Sequence, residues 1–110
     1  MYKSETATLL RVFIGESDKY KGSLLYEEIV LRARELNLLG ATVIRAVAGF
    51  GSHNIIHTSK ILDMFQDLPI IIEIIDKKEK LDQLMPFINE TIGGGLITLQ
   101  DIQIIKNYSN

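Results

Sequence analysis

Residues 69–75 read Pro-Ile-Ile-Ile-Glu-Ile-Ile, a β-branched run with Ile70, Ile72 and Ile74 on one side of the extended chain and Ile71 and Ile75 beside Glu73 on the other. A strand that is apolar on both sides belongs in the middle of a sheet. Residues 8–14, Thr-Leu-Leu-Arg-Val-Phe-Ile, have the same character: Leu10, Val12 and Ile14 share one face, and Leu9, Arg11 and Phe13 the other. Gly15 closes that run, and both strands are expected at the sheet centre.

Outward from these two strands, Glu16 to Gly22 is polar and reads as a loop. Ser23 is placed to cap a helix running to about Asn37, with Leu25, Ile29, Ala33 and Leu36 on one stripe and Glu28 paired with Arg32 outside it. Gly40 is expected to end that helix, and Ala41 to Ala48 to form a strand stopped by Gly49. Asp76 and Glu79 have the spacing of a capping box for a second helix, whose apolar positions are Leu81, Leu84, Met85, Ile88 and Ile92. Pro86 lies inside that helix and is expected to kink it. Gly93, Gly94 and Gly95 force a turn into a last strand, Leu96 to Ile105.

The order β-α-β-β-α-β predicts an α+β, ferredoxin-like two-layer sandwich with an antiparallel sheet, a single domain over residues 1–110. Two helices cover only one face of such a sheet. At ~25 cal/mol per Å², bare Ile, Phe and Leu side chains on the other face would cost many kcal/mol against a total stability of ~5–15 kcal/mol. Association of sheets between copies is therefore expected.

The 110 residues are 46% hydrophobic and 24% charged, the composition of a globular chain. Cysteine is absent, which excludes disulfides, Cys-ligated zinc and thiol nucleophiles. With a net charge of −2 there is no general positive field, so no nucleic-acid partner is expected. The N-terminus lacks a signal-peptide pattern and no apolar stretch approaches ~20 residues, so a cytoplasmic location without membrane insertion is expected.

The segment from Gly49 to Leu68 is far longer than the ~2–5 residues usual between paired strands. It is expected to be functional and mobile, with Ile61, Leu62 and Phe65 in a short helix. Its start, Gly49-Phe50-Gly51-Ser52, allows either a turn whose N–H groups approach an anion or a bulge with Phe50 packed inward. Gly93 to Gly95 is a second place for an anion, or a plain helix cap and turn. Arg45 shares a face with Val43 and Val47 and could neutralise a phosphate at a subunit boundary. His53 and His57 are four apart, a spacing that permits two metal ligands on a helix, but Asn54 stands where a metalloprotease pattern needs Glu.

Phe-Ile-Gly-Glu at 13–16, Leu-Tyr-Glu at 25–27, Gly-Ala-Thr-Val at 40–43, Gly-Phe-Gly at 49–51, His57-Thr58 and Asp67-Leu68-Pro69 together resemble the uncharacterised family of PII-like signal-transduction proteins, related in fold to the nitrogen-regulatory PII proteins. The resemblance implies a homotrimer with sheets packed inward and an adenine nucleotide (AMP, ADP or ATP) as ligand in clefts between subunits, with no further cofactor. It places Gly49, Gly51 and Ser52 of the loop base and Gly93, Gly94 and Gly95 at the nucleotide, to which the strand reading adds Arg45 as a cation, and 49–68 is expected to be a signalling loop toward a protein target. The expected protein is a regulator and not an enzyme. The alternatives are a trimeric divalent-metal-binding protein and a small phosphate-processing enzyme, the latter opposed by the acidic Gly15-Glu16-Ser17-Asp18.

Overall fold

The computed structural model describes residues 2–50 and 67–107. The elements are β1 (Tyr2–Gly15), β2 (Lys19–Tyr20), β3 (Ser23–Leu24), α1 (Leu25–Glu35), β4 (Gly40–Arg45), β5 (Pro69–Asp76), α2 (Lys78–Leu81), α3 (Met85–Thr91) and β6 (Leu96–Asn107). Four strands make one antiparallel sheet in the order β4-β5-β1-β6. The two strands with apolar residues on both faces are the central pair, with Val12 opposite Ile72.

The structure assigns the two faces. Leu10, Val12, Ile14, Ile70, Ile72 and Ile74 pack beneath Leu25 and Ile29 of α1, Leu81 of α2, and Phe87 and Ile88 of α3. Phe13, Ile44, Ile71, Ile75 and Leu96 lie on the opposite face, which no described helix covers, and Ile44 and Leu96 are exposed there.

Several local expectations are corrected. Ser23 does not cap α1: it pairs with Tyr20 in a small β2–β3 hairpin, and the cap position is Leu24, without a side-chain hydrogen bond. Lys21 and Gly22 both have positive φ, 48° and 86°, the two-residue turn whose twist matches a hairpin. α1 ends at Glu35 with Leu36 as its cap, and the residue that turns the chain out of the helix is Asn37 and not Gly40. Asn37 adopts φ 58°, its N–H donates to the Arg34 carbonyl at 3.0 Å, and the Leu38 N–H donates to that of Ala33 at 3.1 Å, which is a Schellman closure. Gly40 instead begins β4, which stops at Arg45, so Val47 lies beyond the strand.

The second helical region is divided. Pro86 stands in the first turn of α3, where a missing N–H costs nothing, and Asp82 to Leu84 separate it from α2 as a break instead of a kink. The capping box does not form either, since Lys77 is the cap residue. The nearly buried Asp76 carboxylate accepts from the Lys77 N–H at 2.6 Å and the Leu39 N–H at 3.0 Å, tying the end of β5 to the α1–β4 turn. Asp76→Ala leaves the Leu39 N–H without this acceptor and is expected to cost about 1–3 kcal/mol in urea unfolding.

β1 and β6 extend beyond β5 as a two-stranded arm of mixed polar and apolar residues, from Tyr2 opposite Asn107 to Thr8 opposite Asp101. Ser4 Oγ donates to Gln103 Oε1 at 2.7 Å, and Gln103 Nε2 donates to Thr6 Oγ1 at 3.2 Å. The molecule is 53 Å in its longest dimension.

Candidate functional site

Strand pairing gathers the candidate segments at one end of the sheet. Arg45 lies opposite Ile70, Ile70 opposite Ile14, and Phe13 opposite Leu96. The C-terminal ends of β1 and β4 thus meet the N-terminal ends of β5 and β6.

The turn after β1 clasps both feet of the long segment. Gly15 N–H donates to Asp18 Oδ2 at 3.0 Å and shapes the turn. Glu16 N–H donates to the Leu68 carbonyl at 2.9 Å. Ser17 donates to Asp67 Oδ1 twice, from its N–H at 3.1 Å and its Oγ at 2.9 Å. On the other foot, Ala46 N–H donates to the Pro69 carbonyl at 2.9 Å, and the Arg45 guanidinium forms an ion pair with the Glu16 carboxylate. The acidic turn at 15–18 is therefore a brace for the segment between β4 and β5. Sequence reasoning gave Ser17 and Asp67 no role of their own, although Asp67 stands in one of the stretches that carry the resemblance.

Gly49 has φ 150°, and an added Cβ would meet Pro69 Cγ at 3.3 Å. Phe50 is 71% exposed, so the inward-packed bulge is not what the chain forms. Gly51, Ser52, His53 and His57, together with the short helix and mobility expected within 49–68, lie outside the described residues. Among the described residues no group of three or more His, Asp or Glu is placed to hold a metal.

At the second glycine segment, Gly93 closes α3 in the left-handed region, φ 55°. Gly95 is pressed against β1: a Cβ there would lie 2.8 Å from the Phe13 carbonyl oxygen. Arg45 sits on one edge strand and Gly93 to Gly95 lead into the other. Three strand spacings, about 14 Å, separate them within one chain.

Residues 7–104 match the model of a family described as Uncharacterized ACR, DUF190. The chain belongs to the DUF190 family. A UPF0166 protein of Aquifex aeolicus (strain VF5) is 40% identical over 99 residues, covering 88% of this chain and 91% of the relative. Among solved structures, CPII of Thiomonas intermedia K12 bound to ADP, AMP and acetate matches with TM-score 0.65 and 18% identity, covering 93% of this chain and 91% of CPII. The apo form of CPII, a nitrogen regulatory PII-like protein, matches with TM-score 0.63 and 17% identity, covering 97% of this chain and all of the other (100%). The fold of this DUF190 chain is therefore PII-like. No helix among its described residues is long and apolar enough to cross a membrane.

Proposed function

We propose that this DUF190 protein is a non-enzymatic, PII-like regulator that binds AMP, ADP or ATP in clefts between the subunits of a homotrimer and signals to a protein target through residues 49–68. The observation that carries the reading is the position of Arg45 and Gly93 to Gly95 at the same end of the sheet but on opposite edges. One ligand phosphate cannot reach both in one chain, whereas neighbouring copies can bring the β4 edge of one to the β6 edge of the next. The CPII complexes with ADP and AMP support the ligand class, and the sheet face that no described helix covers, where Phe13, Ile44, Ile71, Ile75 and Leu96 surround the Arg11–Glu73 ion pair, supports self-association.

In this reading, glycine N–H groups near Gly93, Gly94, Gly95 and Gly49 approach the phosphates, with Gly51 and Ser52 completing the contact. Arg45 supplies charge, and a phosphate has to compete with Glu16 for it. Titration calorimetry with AMP, ADP and ATP tests the proposal. Gly94→Val is expected to abolish binding. Arg45→Ala is expected to weaken ATP about tenfold and AMP less. The reading fails if no adenine nucleotide binds the wild-type protein at millimolar concentration.

A further inference from the structure

Between two apolar stretches of the sheet face without helices runs one row of polar residues. Thr42 of β4 lies opposite Glu73 of β5, Glu73 opposite Arg11 of β1, and Arg11 opposite Thr98 of β6, so every strand contributes a polar side chain at the same level. One row away, about 7 Å along the strands, stand Ile44, Ile71, Phe13 and Leu96, and on the other side Ile75 and Leu9 hold the centre.

Arg11 Nε donates to Glu73 Oε2 at 2.9 Å and Arg11 Nη1 donates to Gln100 Oε1 at 3.0 Å. These bonds use part of the fork of N–H donors that a guanidinium presents. Among the described residues neither the remaining donors nor Glu73 Oε1 have a partner. The Arg11 and Glu73 side chains are 36% and 28% exposed, so water serves those groups in the isolated chain. Packing this face against other copies removes that water. A charge pair that loses its hydration with groups left unmatched is worse for association than an apolar pair in its place, unless the neighbouring copies complete it.

The strand order lets them do so. In β4-β5-β1-β6 the midline of the sheet runs between β5 and β1, and the Arg11–Glu73 pair straddles it. Rotation about an axis facing that midline repeats the order Glu73, Arg11, Glu73, Arg11 around the axis, so each Arg11 adjoins Glu73 of the next copy and never another Arg11. We infer that Arg11 and Glu73 close a ring of alternating charge at the centre of the assembly, each guanidinium bridging its own Glu73 and that of the next copy, and that this ring admits only copies packed in one register. A slip by one row would press each pair against Phe13 and Ile71, or against Leu9 and Ile75, of its neighbour, which offer it no hydrogen bond. Thr42, Thr98 and Gln100 both donate and accept, so they serve the ring in either order of charge. The inference rests on the homotrimer of the proposed function and assigns nothing to the nucleotide.

Reversing the charges, Arg11→Glu with Glu73→Arg, tests the ring. The reversed chain keeps its internal pair and can close a ring with its own kind, but at every joint with a wild-type chain like charges meet. Nitrogen-15-labelled wild type mixed with unlabelled wild type is expected to exchange subunits and give mixed trimers in native mass spectrometry. Mixed with the reversed chain, it is expected to give the two homotrimers with mixed species depleted at least tenfold from binomial proportions. A second set of variants decides the matter if the reversed chain does not fold. Glu73→Leu leaves the guanidinium groups of the copies facing one another and is expected to raise the concentration at which trimers dissociate about a hundredfold, and adding Arg11→Met to return it to the wild-type value or below. Binomial mixing with the reversed chain, a Glu73→Leu variant that assembles as wild type, or no recovery with Arg11→Met overturns the ring and leaves the nucleotide reading standing. A wild-type monomer by light scattering overturns the ring and the intersubunit site together.

Discussion

Ile72→Lys is expected to leave no folded protein, and Phe13→Lys to leave a folded monomer. The two residues lie on neighbouring central strands and differ in the face they occupy. Ile72 is 0% exposed among Val12, the neighbouring strand residues and the helices. An ammonium group there loses its hydration without gaining a partner, a cost of several kcal/mol against a total of ~5–15 kcal/mol. Phe13 is half-buried on the face without helices. Lysine at that position can reach water in the isolated chain and is buried only if copies pack on that face. Circular dichroism should show native helix content for Phe13→Lys alone, and light scattering should give that variant the mass of one chain, 12.4 kDa. A Phe13→Lys protein that still assembles as wild type would remove the bare face from the interface.

Gly95→Val is expected to destabilise the fold by about 3 kcal/mol or more, a melting temperature lower by about 10 °C or more. Its Cβ would fall 2.8 Å from the Phe13 carbonyl oxygen, 3.1 Å from Ile14 Cγ2 and 3.3 Å from Ile92 Cβ. A backbone oxygen held in the central strand cannot give way as a side-chain tip can. Gly93→Ala is expected to cost less, because the space around Gly93 is open and only its φ of 55° resists a side chain. Thermal melts of the two variants separate crowding from backbone strain. Equal losses would mean that the contact with β1 is not what position 95 requires.

The central strands were legible in the sequence because apolar residues on both faces write a nearly continuous apolar run, interrupted only by Arg11 in one and Glu73 in the other. The arm from Tyr2 to Thr6 was not, since its two-sided exposure leaves no alternation and its ladder is held by backbone bonds and by Ser4, Thr6 and Gln103. Helix ends were misplaced where a residue other than the expected one adopted the needed φ: Asn37 did what Gly40 was expected to do. The capping box failed because its Asp76 faced the core and bonded across 37 positions to Leu39, a tertiary contact that local spacing does not encode. Of the candidate site, the two glycine segments and Arg45 were readable as residue types. Their meeting at one end of the sheet, and their separation across its edges, follow from strand order.

The Glu16–Arg45 pair makes the turn after β1 a competitor for any anion that approaches the β4 end. An anion that takes the guanidinium releases the Glu16 carboxylate, and with it one of the braces on the loop foot. Thermodynamic reciprocity then fixes what a partner must do. A macromolecule that prefers the released carboxylate raises the anion's affinity by the same factor by which the anion raises its own. One that grips the closed pair lowers both. The sign of cooperativity between a small ligand and a partner would then be decided by a single exchange of counter-ions, with Glu16→Gln as the substitution that erases it.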